Sequence, residues 1–176
     1  MHTLHYFAVE ASNTEEAFGL VQSRLEHNED GGRFVEWSDW HVVGGGRWSN
    51  SQYQDSPEMV ISYAKEPEKF KEAIEGIKKS RIAEMNRYIE QVNYDKFVSD
   101  MVDYVSEAGV PSNESRFDLN AYYFKKASDM LMDYYSPDSY FYDLTEYTAH
   151  MGYLIQKLDN PEEAMKQYLV PVDFHF

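Results

Sequence analysis

The stretch YLVPVDFHF, residues 168–176, closes the chain with the two-residue alternation of a β-strand. One face of this strand would be apolar and would carry Tyr168, Val170, Val172, Phe174 and Phe176. The other face would carry Leu169, Asp173 and His175. Pro171 has no amide hydrogen to donate to a neighbouring strand. The stretch therefore predicts a terminal strand that lies at a sheet edge or is bulged at Pro171.

The opposite end of the chain predicts a partner for this strand. Residues 3–10, TLHYFAVE, are rich in aromatic and branched side chains, which favour strands. Ser12, followed by Glu15 three residues later, predicts the cap of a helix with one buried face. Because a chain of this size has one core that must cover both apolar faces, we expect the first and last strands to be neighbours in one sheet.

The rest of the chain predicts an α+β fold in a single domain of residues 1–176. Residues 34–43 favour a strand that is interrupted near Ser38. Residues 56–135 form a helical insert, which begins with a short helix to about residue 64 and continues with the longest helix from Pro67. Arg81 interrupts the apolar side of that long helix. Residues 139–145 favour a strand, and residues 147–158 favour a helix. We expect a small sheet built from the N-terminal, Trp-rich and C-terminal strands, with the helical insert covering it.

Composition limits the class of function. The chain has no Cys, which excludes disulfides, thiolate zinc sites and a Cys nucleophile. Its net charge of −15 argues against direct binding of DNA or RNA. Residues 97–163 hold 13 acidic and 4 basic residues, together with nine of the 15 Tyr. We expect no membrane span, no signal peptide and a cytoplasmic location.

The chain's three Trp lie within the twelve residues 37–48, WSDWHVVGGGRW. A glycine turn presents backbone amides, an Arg offers a planar fork for an anion, and Trp rings stack on planar ligands. The candidate ligand-binding residues are Asp39, Trp40, His41, Gly44, Gly45, Gly46, Arg47 and Trp48. Neither a P-loop nor a dinucleotide motif fits this spacing. The structural alternative is a bulged hairpin whose Trp residues are core and whose Arg47 pairs with an acid such as Asp39.

A weaker alternative is a metal site at the terminal strand. Asp173 and His175 are two residues apart, so both side chains point to one face of a strand. His5 on the first strand or His41 on the second would complete a set of three ligands. The competing interpretation is that these residues are solvated at a sheet edge, with Asp173 orienting His175. No motif in the sequence implies a particular cofactor.

The motif D-W-x-x-x-G-G-G-R-W, read over residues 39–48, and the closing V-D-F-H-F resemble a loose group of phage-encoded and bacterial proteins. The resemblance covers both ends of the chain and leaves the helical middle unexplained. The group has no established activity. The resemblance therefore implies a virus-encoded accessory protein, a type that often acts by binding a host factor.

These observations favour a binding protein over an enzyme, since no G-x-S-x-G elbow or other reaction motif is present. The leading hypothesis is a phage-type accessory protein that inhibits or modulates a host protein of the defence or nucleic-acid-handling kind. Its basic partner would meet an acidic, Tyr-rich surface in residues 97–163. The alternative is a small nucleotide-binding or anion-binding protein, or an enzyme, that uses the Trp/Gly/Arg turn. The sequence leaves self-association open.

Overall fold

The computed structural model describes residues 1–26, 35–51, 53–106, 119–132 and 135–176. The elements in chain order are β1 (His2–Glu10), α1 (Thr14–Glu26), β2 (Trp40–Val43), β3 (Ile61–Ser62), α2 (Pro67–Gln91), α3 (Tyr94–Ser106), α4 (Leu119–Asp129), β4 (Phe141–Asp143), α5 (Gly152–Leu158), α6 (Pro161–Ala164) and β5 (Gln167–His175). One mixed sheet and helices on both of its faces confirm the predicted α+β class.

The C-terminal strand β5 organises the sheet. The strand order is β2-β5-β1-β4, and β3 also pairs with β5. β5 runs antiparallel to β1 along the whole of both strands, from His2 opposite His175 to Glu10 opposite Gln167. β4 pairs with β1 in parallel. The prediction that the first and last strands are neighbours is therefore confirmed.

The prediction that β5 lies at an edge is wrong, because β5 has partners on both sides. The carbonyl of Pro171 accepts a hydrogen bond from the amide of Gly44 at 2.7 Å. The N and O atoms of a strand residue point to the same side, so the nitrogen of Pro171 faces that side as well. On this side β2 pairs with β5 from Val172 onwards, and β3 pairs only as far as Leu169. The missing amide hydrogen thus falls in the gap between two short strands.

Alternation along the central strands creates two cores. On one face the side chains of Phe7 and Val9 pack against those of Val170 and Phe174. Helix α1 covers this layer and buries its own Ala17 and Val21 there. On the other face the cluster contains Ala8, Phe141 and Leu169, and α2 covers it with Phe70, Ile74 and Ile77. Of the described part of the insert, α2 is the helix that packs into this second core.

Several local predictions need correction. The Trp-rich strand is shorter than predicted, since only residues 40–43 are extended and Phe34 lies outside the described residues. The short helix after Ser56 is a single 3-10 turn, Pro57–Met59, followed by β3. The helix predicted from residue 147 begins at Gly152. Asn13, not Ser12, caps α1, because its side-chain oxygen accepts the amide of Glu16 at 3.0 Å.

Arg81 explains the polar interruption of α2. Its guanidinium donates to the backbone carbonyl of Ala149 at 2.7 Å and to that of Met130 at 3.1 Å. These two carbonyls belong to segments that follow α3 and α4 in the chain, so a single side chain ties the long helix to the later half of the fold. None of the helices in the described ranges has the length and apolar character needed to cross a bilayer.

We predict that Arg81→Met lowers the free energy of unfolding by about 2–3 kcal/mol, because two carbonyls lose charge-assisted hydrogen bonds. Arg87→Met on the same helix is the matched control. Arg87 pairs with Glu84 on the exposed side of α2, where such a pair contributes less than about 1 kcal/mol. Chemical denaturation of both variants tests this, and equal losses of stability would contradict the assigned role of Arg81.

Candidate functional site

All three residues of the glycine turn after β2 have positive φ angles. Gly44, Gly45 and Gly46 have φ angles of 95°, 98° and 47°. A Cβ atom on Gly44 would lie 1.6 Å from the carbonyl oxygen of Ser56, which no side chain could tolerate. Glycine is therefore required here both for its positive φ and for the close approach of a neighbouring backbone.

The turn closes on Asp173 of β5. The backbone amide of Arg47 donates to Asp173 Oδ2 at 3.0 Å, and the Asp173 side chain is fully buried. A Cβ atom on Gly46 would lie 2.5 Å from the Cβ atom of Asp173. The anion held by this turn is thus a carboxylate of the protein itself. The Arg47 guanidinium is exposed and lies 5.6 Å from the centre of the Trp48 ring.

The second oxygen of Asp173 meets the N-terminal strand. His2 Nδ1 lies 2.9 Å from Asp173 Oδ1, and the His2 side chain is only 16% exposed. Asp173 therefore joins the turn after β2 to the start of β1, which gives both of its oxygens a partner. His2 was not among the residues that the sequence singled out, and it lies one residue before the strand predicted over residues 3–10.

His2 belongs to a row of rings that crosses three strands. The register places Trp40 of β2 opposite His175 of β5, and His175 opposite His2 of β1. The Trp40 and His175 rings stack with centroids 5.0 Å apart and an interplanar angle of 11°. The His175 and His2 centroids are 4.9 Å apart. Since neighbouring strands are about 4.8 Å apart, the sheet itself sets this spacing.

Two further rings complete an aromatic surface. The Trp48 and Tyr53 centroids each lie 6.4 Å from that of His2. We call the group His2, Trp40, Trp48, Tyr53 and His175 the aromatic platform. Trp40, Trp48 and Tyr53 are exposed over 38%, 43% and 60% of their surface. Large aromatic side chains that remain exposed beside one another are typical of a binding surface.

The other candidates of the Trp-rich segment have separate positions. His41 points to the opposite sheet face, where its ring centroid is 5.9 Å from that of Phe174. Trp37 packs against Phe174 in the core. The Asp39 carboxylate lies 3.5 Å from His175 Nδ1 at the rim of the platform. The three Trp of the segment thus divide, with Trp37 packed against the core and Trp40 and Trp48 at the surface.

The proposed metal ligands do not converge. His5 lies on the α1 face of the sheet, whereas Asp173 and His175 lie on the face that carries the platform. His5 Nδ1 is 2.9 Å from the hydroxyl oxygen of Tyr135. Among the described residues there is no group of three or more His, Asp or Glu that could hold a metal ion.

A cleft of 480 Å³ adjoins the platform between β1 and α2, and we call it the β1–α2 cleft. His2 and Trp48 line both features. This cleft was not predicted from the sequence, although Ala73, Gly76 and Ser80 offered a signal. These small residues recur at helical spacing on one side of α2, and the structure places all three in the lining.

Comparison with protein-family models, curated proteins and solved structures finds no match to this chain. The chemistry of the platform and the cleft, together with the charge of the chain, is therefore the basis for inferring a function.

We predict that Gly46→Ala lowers the free energy of unfolding by about 2 kcal/mol or more, since the residue has positive φ and its new methyl group would overlap Asp173. Gly19→Ala in α1 is the matched control, because a Cβ atom there meets nothing within 4 Å. That control should gain about 0.5–1 kcal/mol. Urea denaturation measures both values, and a neutral Gly46→Ala would contradict the close packing of the turn on Asp173.

A second prediction concerns pH. Burial lowers the pKa of His5 from 6.5 to about 3, so the folded protein keeps this ring neutral. The unfolded chain takes up the proton first, and stability is therefore lost as the pH falls from 6.5 towards 3. Between pH 7.5 and 5.5 the free energy of unfolding of the wild type should fall more steeply than that of His5→Phe. The difference between the two slopes should approach ~1.4 kcal/mol per pH unit at the acid end of this range. Equal slopes would contradict a neutral buried His5.

Proposed function

We propose that this protein is an accessory protein, of the phage type that its motifs resemble, which acts by binding a basic protein partner. The aromatic platform is the centre of the contact. The observation that carries the proposal is the exposure of Trp40, Trp48 and Tyr53 beside one another in a chain of net charge −15.

The residue types of the platform favour protein binding. Trp, Tyr and Arg dominate the energetics of protein interfaces, and the platform presents two Trp and one Tyr with Arg47 at its edge. Trp40 is held by its stack on His175, and His2 is held by Asp173. Side chains that are already fixed lose little conformational entropy on binding, so the platform is suited to a stable contact.

Charge indicates the nature of the partner. Residues 1–63, which supply most of the platform, contain 10 acidic and 3 basic residues. Asp39 at the platform rim has 73% of its side chain exposed. Cationic side chains of a partner can stack on the Trp and Tyr faces while the surrounding acids attract them. The same charge disfavours a direct complex with DNA or RNA.

Within this proposal the partner is a host protein of the defence or nucleic-acid-handling kind. A protein that binds nucleic acid carries a basic surface, and an acidic protein that covers this surface would inhibit it by competition. The host cytoplasm is the expected location. This part of the proposal rests on the chain's charge and on the resemblance of its motifs.

The platform takes the place of the Tyr-rich face that we expected in residues 97–163. Tyr142 in that segment is buried, and Tyr135 packs against the α1-side core. Tyr122, Tyr147 and Tyr153 are exposed. The Tyr that the structure describes in this segment thus divide between core and surface, and the segment contributes mainly negative charge to the proposed interaction.

We predict that an arginine-rich nonapeptide binds the protein and that Trp40→Ala and Trp48→Ala each weaken this binding at least tenfold. Isothermal titration calorimetry at about 50 and 150 mM salt measures the affinities, because screening weakens a purely electrostatic contact over this range more than a contact made by ring packing. Tyr147→Ala and Tyr153→Ala are matched controls that remove exposed rings elsewhere. If the platform variants bind as tightly as these controls, the platform is not the contact.

A further inference from the structure

The β1–α2 cleft lies next to the platform and opens beside Trp48. Leu4 and Tyr6 of β1 line one side, and Ile77 and Gly76 of α2 line the other. A Cβ atom on Gly76 would meet nothing within 4 Å, so the helix leaves open space at this position. The volume of 480 Å³ is in the range of pockets that hold small molecules or long side chains.

The lining combines aromatic rings with acceptor groups. Tyr6, Trp48 and Tyr140 contribute rings, and Glu72 and Ser80 contribute a carboxylate and a hydroxyl. Neither Lys nor Arg occurs among the described residues that line the cleft. A cation between aromatic faces and a carboxylate is stabilised by both, whereas a phosphate would be repelled by the carboxylate.

Glu72 supplies the carboxylate of the cleft lining. Four other acids near or on α2 each pair with a cation three residues later: Glu66 with Lys69, Glu68 with Lys71, Glu75 with Lys78, and Glu84 with Arg87. The residue three positions after Glu72 is Glu75, which cannot form such a pair. Within the described ranges Glu72 forms no ion pair, and its carboxylate remains available at the cleft.

We propose that the β1–α2 cleft receives one arginine or lysine side chain of the basic partner, an inference that rests on the proposed function and names the group that it recognises. The alkyl stem of this side chain packs against Leu4 and Ile77. Its cationic end contacts the rings of Tyr6 and Trp48 and pairs with the Glu72 carboxylate. The platform then contacts the residues that flank this side chain, because His2 and Trp48 line both the platform and the cleft.

Two small probes test the charge requirement. Nα-acetyl-arginine methylamide and the corresponding citrulline compound have similar shape, and only the arginine compound is cationic. Titration followed by NMR chemical shifts of the Trp48 and Tyr6 rings should show binding of the arginine probe and at least tenfold weaker binding of the citrulline probe. Glu72→Gln should weaken binding of the arginine probe several-fold and leave the citrulline probe unchanged. Equal binding of the two probes would overturn the proposal.

Two matched variants test the location. Gly76→Leu fills the cleft without a clash at its Cβ atom, and Gly19→Leu adds the same side chain to α1, where the space is also open. Gly76→Leu should abolish binding of the arginine probe and weaken the arginine-rich nonapeptide at least tenfold, while Gly19→Leu binds both normally. If Gly76→Leu binds both as the wild type does while Trp40→Ala weakens the nonapeptide, the cleft is refuted and the platform stands. If neither Gly76→Leu nor Trp40→Ala weakens binding of the nonapeptide, the proposed function is refuted as well.

Discussion

The fold around the candidate site depends on one buried carboxylate. Asp173 lies in the central strand and is fully buried, so each of its oxygens needs a hydrogen-bond donor. The amide of Arg47 supplies one and His2 supplies the other. These two contacts connect the glycine turn and the His2 side chain through one residue of β5. Asp173 anchors the His2 ring directly and Trp48 through the turn, while strand pairing sets the spacing of Trp40, His175 and His2.

Much of the fold could be predicted because its signals are local. The alternation in residues 168–176 and the positive φ of Gly44, Gly45 and Gly46 are properties of short stretches. The central position of β5 could not be predicted, since it depends on two short strands that leave a gap opposite Pro171. β3 has only two residues, which is too few to show any period.

The candidate site was predicted only in part for a related reason. Residues that are neighbours in sequence alternate between sheet faces, so Trp40 joins the platform while His41 packs on the other side. His2 contacts Asp173 across 171 positions of sequence, and no local pattern indicates such a contact. Composition predicted an acidic chain that is rich in aromatic residues, but only tertiary packing decides which rings are buried and which remain exposed.

The pairing of β1 with β5 also affects how the chain folds. The two strands pair from end to end, yet almost the whole sequence separates them, which implies a large loop-closure entropy and slow folding. At a synthesis rate of ~5–20 residues per second, β1 waits on the order of ten seconds on the ribosome before β5 exists. During this interval its apolar face has no β5 to pair with. Newly made chains are therefore expected to depend on chaperones and to aggregate when they are overproduced quickly.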